Sequence, residues 1–390
     1  MPIRGNANPK NTNGSDKENR PVKYLILSRS SGQGHNSAAK ALQEKLTQFG
    51  AEADFVDGAR FVRSICNDGF SKVYISVTQH AAPLFGKAYQ IARHLSSPNR
   101  KFVIYYCNVR GAAALHEYIE DNGFDGVITT HLYPAETLTW LRRNRGLTVP
   151  TFFIGTDYTC IPFEEETELD YYFVPQGEAG RTYLERGIPA EKLRYTGIPV
   201  RDAFCGRGDR LQARAALGLE PDRPYYLIMS GSMGYGNLEE LTDSVLRQAP
   251  DAHPILLGGS NQALKARLRE RYAPETATVL DFTTQVPLYM DACDLLFTKP
   301  GGLTSTEAAA KNTALIHTKP IPGCETENAR YFSRTGMSLT GEDTDELVAR
   351  AVALANDPNA QAEMFRCQRT HINPHAADDI CRAVLELTNA

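Results

Sequence analysis

The sequence predicts an α/β fold in which two doubly wound, Rossmann-like domains face each other across a cleft. Three observations predict it. The chain has 390 residues, more than one hydrophobic core usually serves. Short apolar runs alternate with helical segments, as is typical of parallel sheets. A strand, a glycine-rich turn and a helix follow one another twice, at 22–49 and at 225–248. One α/β domain with long insertions is the alternative architecture.

The composition excludes several classes of protein. The net charge of −4 is not that of a globally basic nucleic-acid binder, so we expect no nucleic-acid partner. No apolar run approaches the roughly 20 residues that span a bilayer. The eight cysteines are scattered without a CxxC pair, which fits reduced thiols in a cytoplasm and argues against a structural zinc site. Residues 1–20 are polar and resemble no signal peptide, so we expect a disordered tail.

The N-terminal domain is expected to span residues 21–198. It opens with the apolar strand Val22–Leu27, the turn SRSSGQGH and a helix over Ser37–Phe49. Further strands are predicted by buried apolar runs that end in polar residues. These runs are Ala53–Val56, Gly126–Thr130, Thr151–Gly155 and Tyr171–Val174.

The C-terminal domain is expected to span residues 199–372, beginning after RYTGIPV, where glycine and proline punctuate the chain. A helix is predicted over Leu238–Gln248. Residues 373–390 have a helical period, and this helix could pack back onto the N-terminal domain. The predicted strands are Tyr225–Met229, Pro254–Leu257, Thr278–Phe282, Leu295–Thr298 and Ala314–His317.

The segment Lys299–Lys311, KPGGLTSTEAAAK, directly follows a predicted strand. Its proline and two glycines force a tight turn, and Thr304–Thr306 offer hydroxyls and amides at a helix start whose dipole favours anions. A diphosphate fits there, and Glu307, in the first turn of the helix, could accept hydrogen bonds from two ribose hydroxyls. The alternative is an ordinary turn between strand and helix. The segment is neither a P-loop nor a dinucleotide fingerprint.

A second glycine-rich turn, GSMGYG, opens the C-terminal domain. Its first residues, Gly231 and Ser232, could hold a phosphate on backbone amides. The alternative is a simple loop that caps the next helix.

Titratable side chains follow several strands of the N-terminal domain. His35 lies on the helix side of SSGQGH, where an imidazole can face the cleft and titrate near neutral pH. Asp57, His131 and Asp157 come at or just beyond strand ends on the same side, so the four groups could converge. Helix capping and turn formation are the alternative roles for the last three.

Several segments together resemble the monogalactosyldiacylglycerol synthase and processive diacylglycerol glucosyltransferase family. They are SSGQGHNSAAKAL, VITTHLYPAE, TDYTCIPF, YLERGIPAEKLRYTGIPV and DACDLLFTKPGGLTSTEAAAKNTALIHTKPIPGCETENA. The resemblance runs from about Val22 to the C-terminus. It implies a GT-B fold, inverting transfer of a hexose from UDP-glucose or UDP-galactose to diacylglycerol, and peripheral attachment to the cytoplasmic face of the membrane.

The resemblance also implies roles for individual residues. Gly34 and His35 would line the acceptor side of the cleft, together with His131. The donor-binding residues would be Lys299, Gly301, Gly302, Thr304 and Ser305 at the phosphates, Glu307 at the ribose, Phe282 at the uracil, and Glu325 and Asn328 near the sugar. Many relatives carry a Gln-Glu pair where this chain has Cys324 and Glu325, so the hexose stays undetermined.

Inverting transfer needs a base for the acceptor hydroxyl and groups that stabilise the departing UDP. We assign the base to His35, oriented by a carboxylate such as Asp57 or Asp157, and the leaving-group role to the helix start after KPGG. No DxD-like metal site is evident. We therefore expect neither a metal ion nor a cofactor, with the UDP-sugar as a substrate.

Residues 60–110 carry eight basic side chains against one acid, Asp68. The segment also contains aromatic residues, so it could rest on anionic headgroups with aromatic anchors in the interface. The alternative is a solvated basic face with its aromatics in the core. The basic residues are Arg60, Arg63, Lys72, Lys87, Arg93, Arg100, Lys101 and Arg110, and the aromatic residues include Phe61, Phe70, Tyr74, Phe85, Tyr89 and Phe102.

Three other functions stay open. One is a lipid-linked N-acetylglucosaminyltransferase of peptidoglycan synthesis, which acts on a polyprenyl diphosphate. Another is a soluble nucleotide-sugar epimerase, which needs no lipid. The third is a non-catalytic UDP-sugar sensor that binds protein partners.

Overall fold

The computed structural model describes residues 20–29, 33–61, 82–231 and 237–389. The chain forms two six-stranded sheets, and neighbouring strands in both are parallel. The predicted α/β architecture with two doubly wound domains is therefore confirmed. The expected tail, Ser30–Gly32, Ser232 and much of the basic segment lie outside the described residues.

The sheet of the N-terminal domain has the strand order β2-β1-β3-β4-β5-β6. Its central strands are fully buried because helices cover both faces, which is why they read as continuous apolar runs. The strands are β1 (Lys23–Ser28), β2 (Glu52–Asp57), β3 (Gly126–Thr129), β4 (Thr151–Ile154), β5 (Tyr171–Val174) and β6 (Leu193–Tyr195). The described helices are α1 (Gln33–Gln48), α2 (Ala82–Leu95), α3 (Val103–Asn108), α4 (Ala112–Asn122), α5 (Leu132–Arg145) and α6 (Gly177–Glu185).

The second sheet has the strand order β12-β11-β10-β7-β8-β9. Its strands are β7 (Tyr225–Met229), β8 (His253–Leu257), β9 (Thr278–Leu280), β10 (Leu295–Thr298), β11 (Leu315–His317) and β12 (Leu339–Thr340). The remaining described helices are α7 (Arg210–Leu217), α8 (Leu238–Gln248), α9 (Gln262–Arg271), α10 (Val286–Ala292), α11 (Gly302–Ala310), α12 (Cys324–Arg334), α13 (Thr344–Ala355), α14 (Pro358–His371) and α15 (Ala376–Thr388).

The C-terminal helix α15 packs on the N-terminal domain. Ile380, Cys381 and Val384 join the apolar core beneath β1. The hydroxyl of Tyr24 donates to the Val384 carbonyl at 3.3 Å and lies 2.9 Å from the hydroxyl of Thr388. The chain therefore crosses between the domains twice, once after β6 and once before α15.

The structure differs from the sequence prediction at several element ends. Helix α1 begins at Gln33 and not at Ser37, so His35 lies in its first turn. Strand β9 ends at Leu280, before Phe282. The strands β6 and β12 were not predicted, because each has only two or three residues at a sheet edge. Across the described segments no helix is both long and apolar enough to cross a membrane.

Candidate active site

The carboxyl ends of the two sheets meet at the start of α11. A Cβ added to Gly302 would lie 1.9 Å from the carbonyl oxygen of Thr156, which follows β4 in the other domain. Gly34 also faces α11, but its Cβ would be in ordinary contact with the Leu303 side chain, at 3.7 Å. Gly302 thus lets the backbones of the two domains approach closely.

Asn328 forms hydrogen bonds to both domains at this junction. Its Nδ2 donates to Asp157 Oδ1 at 2.8 Å and to the Pro300 carbonyl at 3.0 Å, while its Oδ1 accepts the Tyr158 N–H at 2.8 Å. The side chain of Asn328 is fully buried, so each of these bonds satisfies a polar group that water does not reach. The hydroxyls of Tyr158 and Thr306 add a contact of 2.7 Å between the domains.

His35 is held in one tautomer. Its Nδ1 lies 2.7 Å from the Thr130 carbonyl and 3.1 Å from the Thr156 hydroxyl. A carbonyl only accepts, so Nδ1 carries the proton and Nε2 has the lone pair. Burial lowers the pKa of His35, although the charge of Asp157 opposes this. His35 is therefore a neutral imidazole at pH 7, the form that a general base requires.

Of the groups expected to converge with His35, His131 lies directly beside it. The ring of His131 lies 4.6 Å from that of His35, and burial, His35 and Arg29 lower the pKa of His131 well below its ordinary value. His131 also caps α5, since its Nδ1 accepts the Tyr133 N–H at 3.2 Å.

Asp157 and Asp57 occupy different sides of the site. Asp157 follows β4, on the side of the sheet that His35 contacts, and its charge acts on His35. Asp57 ends β2, on the other side of β1, and accepts the Ala59 N–H at 2.8 Å. Asp157 is thus the carboxylate whose charge acts on His35 in the structure, and the catalytic roles of Asp157 and Asp57 stay predictions.

The donor side of the site lies on the turn between β10 and α11. Lys299 forms an ion pair with Glu325, whose other oxygen accepts the Ile321 N–H at 2.9 Å. The Lys299 side chain lies over Gly231, where an added Cβ would be 2.5 Å from its Cε. The structure thus brings Lys299, Gly231 and Glu325 together beside Gly301, at a helix start whose dipole favours anions.

Glu307 lies deeper in this helix than predicted. Helix α11 begins at Gly302, so Glu307 is in its second turn and not its first. It accepts a hydrogen bond from the Ser37 hydroxyl of α1 at 3.3 Å. Burial raises the pKa of Glu307 to about 7, against the lowering effects of the Arg201 charge and the Ser37 hydrogen bond.

Three further predicted donor contacts differ in exposure, and one of them, Ser305, faces into the sheet. The hydroxyl of Ser305, expected beside the phosphates, is fully buried and lies 2.9 Å from His317 Nε2 in the sheet, so it faces away from a ligand on the turn. Thr304 is half-buried at the helix start, as a phosphate contact requires. Phe282 is 81% exposed just beyond β9, where its ring is open to a stacking partner.

The chain matches the family model described as monogalactosyldiacylglycerol (MGDG) synthase over residues 35–200. It is 28% identical over 376 residues to a processive diacylglycerol beta-glucosyltransferase of Bacillus thuringiensis (strain Al Hakam), covering 93% of each chain. A protein of the same name from Bacillus cereus (strain AH187) is 28% identical over 375 residues, again with 93% of each chain covered. Over most of its length the chain is therefore similar to diacylglycerol glycosyltransferases of this family.

Solved structures show the GT-B fold as well. MurG of Acinetobacter baumannii has a TM-score of 0.61 and 16% identity, covering 94% of this chain and 100% of that one. MnaA of S. aureus with UDP has a TM-score of 0.60 and 13% identity, covering 94% and 97%. Anabaena Alr3699/HepE with UDP-glucose has a TM-score of 0.57 and 11% identity, covering 94% and 99%. The glycosyltransferase fold predicted from the sequence is confirmed.

Three residues of the site were not singled out in the sequence. Ser37, Thr156 and Arg201 were missed, although each is one or two residues from a position singled out in the sequence or from the domain boundary. Their partners come from distant parts of the chain, so spacing could not reveal them. In the described ranges no cluster of three His, Cys, Asp or Glu side chains is arranged to hold a metal ion.

In the described part of residues 60–110, several aromatic side chains that were predicted to face the membrane pack against the protein instead. Phe61 packs on Tyr118 at 5.4 Å and Phe102 stacks on Phe163 at 5.2 Å. Tyr89 packs against Gly323, where an added Cβ would be 3.1 Å from its ring. These aromatics are therefore not interfacial anchors. Phe70, Tyr74, Arg63 and Lys72 lie outside the described residues.

Three exposed aliphatic side chains of the segment lie on α2, and Tyr106 of α3 is exposed as well, at 62%. Leu84 is 63% exposed, Ile91 59% and Leu95 43%. Their spacing of seven and four residues places them on one helix face, which also carries the exposed Lys87. The opposite face holds the Gly86 contact with Pro322 and an Arg93–Glu327 ion pair of 3.5 Å. The solvent-exposed face of α2 therefore carries three aliphatic side chains and the ammonium of Lys87.

Proposed function

We propose that the chain is an inverting hexosyltransferase that moves a sugar from UDP-glucose or UDP-galactose to diacylglycerol and so forms a glycolipid. The relatives named above are processive diacylglycerol beta-glucosyltransferases. Two of the solved structures hold UDP or UDP-glucose. The observation that supports the proposal most is the junction of Gly302 with Thr156. Thr156 contacts both the start of α11, which would bind the diphosphate, and His35 Nδ1, so donor and base would lie side by side.

In the proposed reaction, Nε2 of His35 takes the proton of the acceptor hydroxyl as the oxygen attacks the anomeric carbon. The carboxylate of Asp157 stabilises the imidazolium that forms, and Asn328 fixes that carboxylate by its hydrogen bond of 2.8 Å. The bond between the sugar and the diphosphate breaks on the opposite face, which inverts the anomeric centre. UDP leaves with its charge on the N-terminus of α11 and on Lys299.

Lys299 must change partners when the donor binds. In the structure the ammonium of Lys299 is paired with the carboxylate of Glu325, and both side chains are largely buried. A diphosphate carries more charge than one carboxylate, so we propose that it takes over Lys299 and leaves Glu325 to accept from a sugar hydroxyl. With this cation and the helix start available, neither a metal ion nor a cofactor is needed, and full activity in EDTA is expected.

The test is to incubate the protein with labelled UDP-glucose or UDP-galactose and vesicles that contain diacylglycerol. We expect label in the lipid extract with the inverted anomer. His35→Ala should lower transfer by about 10²-fold or more, within the range for loss of a general base. His375→Ala is the matched control, because it removes an imidazole that is 69% exposed and lies 3.9 Å from Asp378 of α15. Transfer by His35→Ala near the wild-type rate would reject the base assignment.

The same assay separates the alternatives. Transfer of N-acetylglucosamine to a polyprenyl diphosphate, with diacylglycerol inert, would indicate the peptidoglycan-type activity. A soluble product formed without lipid would indicate an epimerase, and UDP-sugar binding without turnover on any lipid would indicate a sensor. The names of the relatives favour the diacylglycerol acceptor.

We also propose that the enzyme binds the cytoplasmic face of the membrane peripherally through the outer face of α2. Leu84, Ile91 and Leu95 would enter the interface while Lys87 meets anionic headgroups. Flotation with vesicles that contain or lack anionic lipid tests this. We expect stronger binding to anionic vesicles and weaker binding as salt rises. Binding that depends on neither would reject the proposal.

A further inference from the structure

Ser37 links the two halves of the site, although it belongs neither to the base nor to the donor turn. It lies in the first turns of α1, two residues after His35. Its hydroxyl donates to Glu307 Oε1 at 3.3 Å, across the junction of the domains. The helix that carries the base therefore also holds the carboxylate assigned to the donor ribose.

Glu307 is enclosed at this point. Only 7% of it is exposed. A second group acts on it from the crossover between the domains, where the guanidinium of Arg201 lies over the ring of Phe204 at 5.5 Å. Within the part of the chain that the structure describes, the buried Nε of Arg201 has no hydrogen-bond partner. The surroundings of Glu307 thus come from α1, from α11 and from the crossover.

We propose that Ser37 is a positioning residue for the donor: it orients Glu307 for the ribose and makes donor affinity depend on closure of the two domains. The inference rests on the proposed function, in which Glu307 binds the ribose. A carboxylate has four acceptor positions on its two oxygens. Ser37 occupies one position on Oε1 and leaves the others for ribose hydroxyls.

This contact also fixes the base relative to the donor. His35 and Ser37 are on the same stretch of α1, so a displacement of α1 away from α11 separates both from the donor side at once. A donor bound through Glu307 is therefore held with its sugar at a set distance from His35. Reacting atoms must come within about 3–3.5 Å of each other, so such a register matters for the rate.

The charge state of Glu307 gives the inference a distinct readout. Burial raises the pKa of Glu307 to about 7, and the Arg201 charge and the Ser37 hydrogen bond lower it. Removal of the Ser37 hydroxyl should therefore raise this pKa further. The other titratable groups on the elements packed around Glu307 already have partners: His35 with Thr130, Lys45 with Asp202 and Asp378, Lys311 with Asp291, and His317 with Ser305 and Ser338.

The test is calorimetric titration of the full chain with UDP between pH 6 and pH 9. For a rise of about one pKa unit, Ser37→Ala should weaken UDP binding about fivefold at pH 7 and by less than about 1.5-fold at pH 9. Ser37→Thr keeps the hydroxyl and should bind UDP as the wild type does. Thr47→Ala is the matched control, because it removes an exposed hydroxyl that bonds only the Gln43 carbonyl of the same helix.

The double variant Ser37→Ala with Glu307→Gln decides whether Ser37 acts through Glu307. We expect the Ser37 substitution to change UDP affinity by less than about 1.5-fold in the Glu307→Gln background, at every pH. An equal loss in both backgrounds, or a loss that does not vary with pH, would overturn the inference. Wild-type protein that does not bind UDP would instead overturn the proposed function, so the two failures are distinguishable.

Discussion

Replacement of Gly302 by alanine should separate the two domains without removing any functional group. The added Cβ would lie 1.9 Å from the Thr156 carbonyl oxygen and 3.2 Å from Asp157 Cα, and real Cβ atoms essentially never come closer than 3.0 Å. The obstructing atom is backbone, so it cannot turn aside as a flexible side chain would. The junction must open by about 1 Å, and a misplacement of that size can lower a reaction rate about 10²-fold.

Gly301→Ala is the matched control for this prediction. Its added Cβ would meet only Lys299 Nζ, at 3.8 Å. Gly302→Ala should also weaken UDP binding more than Gly301→Ala, because an open junction separates Ser37 from Glu307, and the transfer rates are therefore compared at saturating donor. Single-turnover transfer at saturating donor should fall about 10²-fold for Gly302→Ala and much less for Gly301→Ala. Equal single-turnover rates for the two variants would refute the reasoning that closure at Gly302 sets the reacting distance.

Two further predictions concern pH and the membrane. Burial lowers the pKa of His35, so kcat at saturating donor should stay constant as the pH falls to about 6.5, the ordinary pKa of histidine. The KM for the donor should rise below pH 7, because Glu307 becomes protonated there. A kcat that falls together with donor affinity would contradict this assignment. Leu84→Ser combined with Ile91→Ser should weaken binding to anionic vesicles at least about tenfold, at about 1–2 kcal/mol for each partly buried side chain. Leu211→Ser, which alters a side chain 58% exposed on α7, should leave flotation unchanged, and an equal loss in this control would contradict the role of α2.

Much of the fold could be predicted from the sequence because buried parallel strands are continuous apolar runs. The strand β10 and the turn KPGG after it illustrate this, since the four residues of the strand are fully or almost fully buried and the glycines follow at once. The short strands β6 and β12 carry too few residues for a pattern. Their pairing depends on neighbours elsewhere in the sheet.

The site was predictable in its location more than in its contacts. Strand ends place His35, Asp157 and Lys299 near one cleft, because the carboxyl ends of parallel strands share an edge. The direction of a side chain depends on what packs around it, and the sequence does not contain that information directly. Ser305 faces His317 in the sheet, and α2 exposes aliphatic side chains while Phe61 and Phe102 pack against other aromatic rings.

The central claim is that the α11 helix start holds a diphosphate whose sugar faces His35. A crystal structure of the protein with UDP tests it most directly. We predict that the diphosphate accepts from the backbone amides at the start of α11 and from Lys299, released from Glu325, and that the ribose lies on Glu307. UDP bound on any other face of the chain, or with its diphosphate directed away from His35, would contradict the account.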